Sequence, residues 1–336
     1  MILAGDIGGT NTRLALFERG EGRHEPVVME VFPSRAHASL EEIVELFTKK
    51  NPSAIEYACL GVAGPIRNGV AHLSNLSWNV DSHQLADCLG VPEVVLVNDL
   101  EAHAHGLSLL EDHDLVVLNR GDPERGGNEA LIAAGTGLGE AGLHWEEDYY
   151  QPFSSEGGHV DFAPRNPLEI ELLSYLLTKY EHVSYERVLS GPGLHNIYRF
   201  LVESGRWEEP AWLKKELHEK DPAAAISQAA LERRSELCIE ALRIFIDLYG
   251  AEAANLALKV MATGGVYVGG GIAQRIIQKL QEPAFMNAFL AKGRLTALLE
   301  AVPVRVIIND KTALYGAARI AERGVRLGHH HTANVR

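Results

Sequence analysis

Five polar residues carry the chemistry that this sequence offers. Asn98, Asp99, Glu156, His159 and Glu186 all fall in predicted loops or at the ends of predicted elements. Carboxylates, an amide and an imidazole can hydrogen-bond several hydroxyls bidentately, which suits a sugar better than an apolar ligand. Reaction at a sugar hydroxyl needs a general base to take its proton. Asp99 is the best placed for this, directly after the buried run Glu93–Val97. Parallel strands joined by helices present functional groups at their carboxyl ends. Taken singly, each residue has a plainer role: Asp99 a helix cap, Glu156 a surface loop residue, His159 a hydrogen-bonded core histidine, Glu186 a solvated helix residue.

Three glycine-rich turns follow apolar runs. They are Gly5-Asp6-Ile7-Gly8-Gly9-Thr10, Gly135-Thr136-Gly137 and Gly269-Gly270-Gly271. Glycine lets backbone N–H groups approach a ligand closely and adopt positive φ. A nest of such groups attracts phosphate oxygens. Asp6 sits awkwardly beside an anion unless a divalent cation lies between, so a magnesium–nucleotide satisfies both. No turn fits GxxxxGK[ST], or GxGxxG with its downstream acid, which disfavours a P-loop or dinucleotide site. The first two turns suit phosphates; the third suits close approach to a flat base and ribose. An ordinary hairpin turn remains the alternative at Gly8-Gly9.

The elements that must position these residues are legible in outline. Ile2-Leu3-Ala4 and Leu14–Phe17 read as strands, joined too tightly for a crossover helix, hence an antiparallel hairpin. A third strand is expected within Glu25–Phe32. Ser39 with Glu42 three residues later forms a capping box ahead of Ile43, Leu46 and Phe47 on one helical face. Tyr57–Ala63 is a buried strand ending at the breaker Gly64-Pro65, and Val70–Leu73 is another. Ser74–Trp78 is polar apart from its tryptophan. Asp81 caps a helix through Cys88, and Leu100–Leu110 is helical. Leu115–Asn119 is a strand, followed by the loop Gly121–Asn128 at a domain boundary. Ala130–Ala134, the second turn and Glu140–Trp145 repeat the opening pattern more than a hundred residues later, as a duplicated half would. Helices are expected from Pro167 to about Tyr180, from Ser184, over Leu194–Glu203, and in two or three pieces over Pro222–Lys259. Gly205–Pro222 reads as a mobile surface segment. Gly264–Val268 is a strand running into a helix through Leu280. A short helix at Phe285–Leu290, a strand at Val304–Ile308 and a helix over Lys311–Arg323 complete the chain.

Composition narrows the class. The 336 residues suffice for two domains, with 46% hydrophobic and 23% charged residues as in ordinary soluble proteins. A net charge of −14 argues against a nucleic-acid or anionic-membrane surface. Any phosphate must then be held by local dipoles or a metal. Cys59, Cys88 and Cys238 are odd in number and far apart, which fits a reducing compartment. No run approaches the roughly 18 apolar residues of a membrane span, and no basic region precedes Ile2-Leu3, so neither a membrane segment nor a signal peptide is expected. The expected location is cytoplasmic.

Five runs occur in order: Gly5–Arg13 (GDIGGTNTR), Asn98-Asp99-Leu100, Ala134–Gly139 (AGTGLG), Glu156–Pro164 (EGGHVDFAP) and Glu186–Gly193 (ERVLSGPG). Together they resemble the bacterial ATP-dependent glucokinase family, within the sugar kinase/actin-like ATPase superfamily. The likeness spans residues 2 to about 324, and the Glu156 and Glu186 runs are the most specific. It implies an α/β, two-domain actin-like ATPase (ribonuclease H-like) fold with the sugar in an interdomain cleft and ATP at its back. It places a small domain at 1–109 plus 300–324, a large one at 110–299 and a C-terminal tail at 325–336. By matching motif, Asn98, Asp99, Glu156, His159 and Glu186 would bind glucose, with Asp99 the catalytic base. Gly5, Asp6, Ile7, Gly8, Gly9 and Thr10, with Gly135, Thr136 and Gly137, would hold phosphates. Gly269, Gly270 and Gly271 would lie against the adenosine. Asp6 would reach Mg2+ through water.

The resemblance further implies ATP and Mg2+ as cofactors, glucose 6-phosphate as a glycolytic product, and a homodimer. The related repressor/ORF/kinase group carries a His- and Cys-rich zinc motif near its sugar site. No cysteine lies near His159, so structural zinc is not expected. Two other classes compete. A non-enzymatic sugar sensor would lose the acid after Asn98 or the glycines, and both are intact. An actin-like polymerising or chaperone ATPase would leave the polar cluster from Glu156 to Glu186 without a role. Among enzymes, the alternative is a kinase for another hexose or an acylhexosamine.

Overall fold

A computed structural model describes residues 1–331 apart from Glu21, His24, Pro65, Ser74 and Asn75, with side chains described as far as Arg323. The chain forms two compact units, 1–114 with 150–152 and 309–336, and 115–149 with 153–308. Pro65 of the expected breaker, Ser74 and Asn75 of the polar stretch, and the last five residues of the expected tail lie outside the described residues.

The first unit is built on a five-stranded sheet. Its strands are β1 (Ile2–Ile7), β2 (Asn11–Phe17), β3 (Val28–Pro33), β4 (Tyr57–Val62) and, at the far edge, Val94–Asn98. β1 and β2 form the expected antiparallel hairpin, with Asp6 directly opposite Arg13. β4 runs parallel to β1, and Val94–Asn98 parallel to β4. Alternation along the strands sends Leu3, Ile7, Leu14 and Leu16 to one face, against helix α1 (Leu40–Lys50). It sends Ile2, Ala4, Ala15 and Phe17 to the other, against Leu314 and Tyr315 of the C-terminal helix Thr312–His331. The Ser39 cap forms, its hydroxyl accepting from Glu42 N–H, while Glu42 accepts from Ala38 N–H. Asp81 caps helix α2 (Ser82–Leu89) with a left-handed Gly90 closing it. A small sheet of β5 (Ile66–Arg67), β6 (Val70–Leu73) and β7 (Trp78–Asp81) completes this unit; β7 begins at the tryptophan of the polar stretch and was not expected from the sequence. The edge strand Val94–Asn98 is β8, and helix α3 (Asp99–Gly106) follows it at once.

The second unit repeats this plan. β9 is Leu115–Asn119, β10 Glu129–Ala134, β11 Leu138–Glu146, β12 Tyr149–Ser155, β13 Gly265–Gly269 and β14 Val304–Ile307. The sheet order β12-β11-β10-β13-β14 matches β3-β2-β1-β4-β8, with β9 added at the edge beside β14. β10 and β11 are an antiparallel hairpin, and β13 and β14 continue in parallel. The internal repeat suspected from two Gly/Thr turns is therefore a repeat of sheet topology. β14, which the sequence reading grouped with the small domain, is hydrogen-bonded to β13 and β9 in this second sheet; the chain rejoins the first unit at Asn309.

The second unit's helices are α4 (Pro167–Leu177), α5 (Gly191–Glu203), α6 (Ala211–Glu219), α7 (Pro222–Leu231), α8 (Glu236–Val260) and α9 (Gly270–Arg275), with further short ones after α9, among them the expected one at Pro283–Leu290. α8 is buried along most of its length. Two local expectations fail here. The segment 205–222 contains α6, anchored by the fully buried Leu213 and by Tyr198 Oη donating to Glu209 at 3.0 Å. Its charges form i,i+4 ion pairs such as Lys220–Glu216 instead of loosening it. The helix expected from Ser184 is a single 3-10 turn, Tyr185–Arg187, and the α-helix begins at Gly191.

Candidate active site

In the first unit, the carboxyl ends of β1, β4 and β8 gather the predicted residues. Asn98 ends β8 and caps α3, its Oδ1 accepting from Leu100 N–H at 3.0 Å. Glu101 returns the bond by accepting from Asn98 N–H, so the run Asn98–Glu101 is a capping box. Asn98 Nδ2 donates to the Gly64 carbonyl at 3.4 Å. Asp99 is thus the first residue inside the helix, with its own Oδ1 accepting from Leu100 N–H at 2.8 Å. Gly61 of β4 permits this placement, since a Cβ there would come within 2.9 Å of Ala102 Cβ and 3.5 Å of Asp99 Cα. Burial drives the Asp99 carboxyl up to about 6, and the nearby Asp6 carboxylate adds to the rise. Asp99 is therefore a carboxylate at neutral pH that binds a proton far more readily than a solvated one.

The β1–β2 turn is built from below. Gly8 N–H closes onto the Asn11 carbonyl at 3.0 Å, so it is already used, and the amides of Gly9 and Thr10 form the tip. Gly8 does not adopt a positive φ. Its value lies in space, for a Cβ would sit 3.1 Å from the Asn11 carbonyl. Gly5 is packed tightly, its Cβ position 2.5 Å from a Leu60 methyl. The buried Ser34 holds the turn: Oγ donates to the Gly8 carbonyl at 2.8 Å and meets Thr12 Oγ1 at 3.0 Å, while Ser34 N–H donates to the Thr10 carbonyl at 2.9 Å. Ile7 is buried, and across the hairpin Asp6 meets Arg13, whose Nη1 lies 3.1 Å away. Asp310 stands 3.9 Å from the same guanidinium. Burial raises the Asp6 carboxyl, Arg13 opposes the rise, and Asp310 adds to it.

In the second unit the β10–β11 turn takes the same place in its sheet but closes more tightly. Gly135 N–H closes onto the Gly137 carbonyl at 2.8 Å, leaving Thr136 and Gly137 amides at the tip. The start of α5 seats on this turn, Gly191 N–H donating to the Gly135 carbonyl at 2.8 Å. So does Glu186, whose Oε2 accepts from Leu138 N–H at 3.1 Å and lies 2.5 Å from where a Gly137 Cβ would stand. A residue predicted for sugar is thereby in contact with a turn predicted for phosphate.

Glu156 precedes, and His159 ends, the single 3-10 turn Gly157–His159. Gly157 and Gly158 let this turn press on β11; a Cβ on Gly158 would strike the Leu138 carbonyl. Both candidate side chains project outward, Glu156 90% and His159 59% exposed, with His159 Nε2 3.8 Å from Glu156 Oε2. His159 is therefore not a core histidine. The two specific runs are laced together, Phe162 N–H donating to Val183 O at 2.9 Å and Tyr185 N–H to Val160 O at 3.0 Å.

At the third glycine turn the close approach is made to the second hairpin turn of the same sheet. Gly270 has φ +86°, and a Cβ there would run into the Ala134 carbonyl. Gly269 caps α9, and nothing crowds the Cβ position of Gly271. Sequence reading missed the residue joining this turn to the second one. Tyr249, fully buried on α8, accepts from Ala134 N–H at 3.2 Å and donates to the Gly269 carbonyl at 3.1 Å. Ser34 and Tyr249 carry no motif. The Asn98–Glu101 cap and the Asp6–Arg13 pairing did have readable signals, in the N-x-x-E spacing and in hairpin register.

The glucokinase family model matches residues 3–324. The chain is 43% identical to the glucokinase of Nostoc punctiforme, over 96% of this chain and 99% of that one. Among solved structures, the glucokinase of an Antarctic psychrotroph superimposes with a TM-score of 0.82 at 32% identity, covering 96% of this chain and 98% of that one. A Balamuthia mandrillaris glucokinase in complex with glucose shares the fold, with a TM-score of 0.81 at 23% identity over 95% of this chain and 93% of that one. The fold is that of the actin-like ATPases, and the chain belongs to the glucokinase family.

Proposed function

We propose that the protein transfers the γ-phosphoryl group of ATP to the 6-hydroxyl of D-glucose, giving glucose 6-phosphate and ADP. The observation that carries this reading is Asp99: a carboxylate on the first residue of the helix that follows a parallel strand, its pKa raised to about 6, in a chain of the glucokinase family. Asp99 accepts the proton of the attacking hydroxyl as the O6–P bond forms and the bond to ADP breaks. Asn98, Glu156, His159 and Glu186 hydrogen-bond the other hydroxyls, and an epimer that leaves one of these groups unpaired is penalised. The amides at the two turn tips hold phosphate oxygens and stabilise charge that develops in a loose transition state. The glycines from Gly269 to Gly271 admit the nucleoside.

Asp6 fits a role toward Mg2+. Asp6 and Asp310 set two carboxylates beside one guanidinium, and the Asp99 carboxyl is close enough to Asp6 for its charge to be felt, a local surplus of negative charge with both raised carboxyls half-buried. Mg2+ keeps several waters and commonly meets protein through one or two carboxylates and substrate phosphates. When bound it neutralises the phosphate charge. This reading includes a cytoplasmic homodimer whose product enters glycolysis. No helix among the described residues is long and apolar enough to cross a membrane.

A coupled assay of ADP formation tests the reading, with ATP–Mg2+ and glucose and with each donor and sugar replaced in turn. Glucose-dependent turnover with ATP is expected. Preference for an acylhexosamine, or ATPase activity indifferent to sugar, would overturn it.

A further inference from the structure

The second unit buries ionisable groups that sugar and nucleotide leave unused. Glu140 on β11 is 1% exposed and Glu252 on α8 is fully buried. Neither oxygen of Glu140 meets a donor in good geometry, and Glu252 faces it carboxyl to carboxyl. Burial, then the Glu252 charge, raises the Glu140 carboxyl, so it keeps its proton at neutral pH. Glu252 is well supplied: Lys259 Nζ donates to Oε1 at 3.0 Å and Asn255 Nδ2 to Oε2 at 2.7 Å. Asn255 Nδ2 also donates to Tyr185 Oη at 3.0 Å, and Lys292 Nζ donates to Asn255 Oδ1. The Tyr185 hydroxyl is in turn bonded to Glu252.

The position of this network is what gives it meaning. Glu140 lies directly under the turn that carries Glu156 and His159: a Cβ on Gly157 would come within 2.9 Å of Glu140 Cδ and strike Oε2. Tyr185, at the other end, immediately precedes Glu186. A well-packed apolar residue would fill the space beneath Gly157 without the cost of desolvating a carboxyl. What a protonated carboxyl adds is a directional donor facing Glu252, which is itself bonded to Tyr185. We propose that Glu140, through Glu252 and Tyr185, is a positioning residue for hexose recognition that sets Glu156 and His159 against Glu186. This inference rests on the proposed sugar kinase activity.

Steady-state kinetics of Glu140→Gln, Glu140→Leu and Tyr185→Phe test it. In Glu140→Gln the amide donates to Glu252 as the protonated carboxyl does, so the KM for glucose stays within about twofold of wild type. Glu140→Leu keeps the volume and loses the direction: its KM for glucose rises about tenfold or more, while kcat and the KM for ATP move less than about threefold. Tyr185→Phe raises the KM for glucose in the same selective way and serves if Glu140→Leu does not fold. An unchanged KM for glucose in Glu140→Leu or Tyr185→Phe, or an equal rise for ATP, overturns the inference while leaving the kinase reading intact. A wild-type protein without glucose turnover overturns both, and the wild type alone reveals it.

Discussion

Replacing Asp99 by asparagine should make the protein both inactive and more stable. The structure holds this carboxyl at about 6 against an ordinary value of 3.8, mainly through burial. A folded-state pKa above the unfolded one means that the native state binds the proton more tightly. The stability associated with the protonated group is present at low pH and is lost as pH rises through about 6. At about 1.36 kcal/mol per pH unit, ionised Asp99 costs the fold about 3 kcal/mol at neutral pH before solvent screening, hence about 1–3 kcal/mol. Asparagine carries no such cost, though it forgoes about 0.5 kcal/mol of interaction with the start of α3. Asp99→Asn should therefore gain about 1–2 kcal/mol at pH 7.5, and about half of that at pH 5. The same change removes the general base and should lower kcat by about 10²–10⁴-fold. Urea unfolding at both pH values, followed by tryptophan fluorescence, reads the first effect, and a coupled assay reads the second. A variant that is destabilised at pH 7.5, or that turns over glucose near the wild-type rate, would refute the reasoning.

Other expectations follow from the same geometry. The wild-type kcat/KM for glucose should fall below an apparent pKa of about 6 as Asp99 takes up its proton, and a profile flat to pH 5 would remove Asp99 as the base. Gly270→Ala places a methyl group against the Ala134 carbonyl at φ +86°, so the KM for ATP should rise about tenfold or more while glucose binding, followed by fluorescence, changes little. Tyr249→Phe leaves the Ala134 amide and the Gly269 carbonyl short of a buried partner, for a loss of about 1–3 kcal/mol in denaturant titration.

Much of this arrangement was legible because it is local. The hairpins, the caps at Ser39 and Asp81 and the strand–glycine–helix turn each follow from residues within a few positions of one another. The duplication was legible from two turns alone, and sheet order bears it out. Glu156 and Glu186 were found by motif, but the reason they sit together, the lacing of 160–162 onto 183–185, depends on pairing across a gap with no sequence signature. Ser34 and Tyr249 stayed hidden for the same reason, as single polar residues whose partners are backbone groups far along the chain. The helix at 211–219 was lost in a charged stretch because one anchor, Leu213, does the work that a longer apolar stripe does elsewhere. At Gly8, of the two freedoms that glycine offers, only room is used: φ is not positive, and a Cβ would crowd the Asn11 carbonyl.

The central claim is phosphoryl transfer to a glucose hydroxyl with Asp99 as base. Its most direct test is 31P NMR of wild type and Asp99→Asn incubated with glucose, ATP and Mg2+. Wild type should convert the γ-phosphate signal into that of glucose 6-phosphate, and the variant should leave ATP intact over the same period. Inorganic phosphate in place of a phosphosugar, or glucose 6-phosphate formed equally by both proteins, would contradict it.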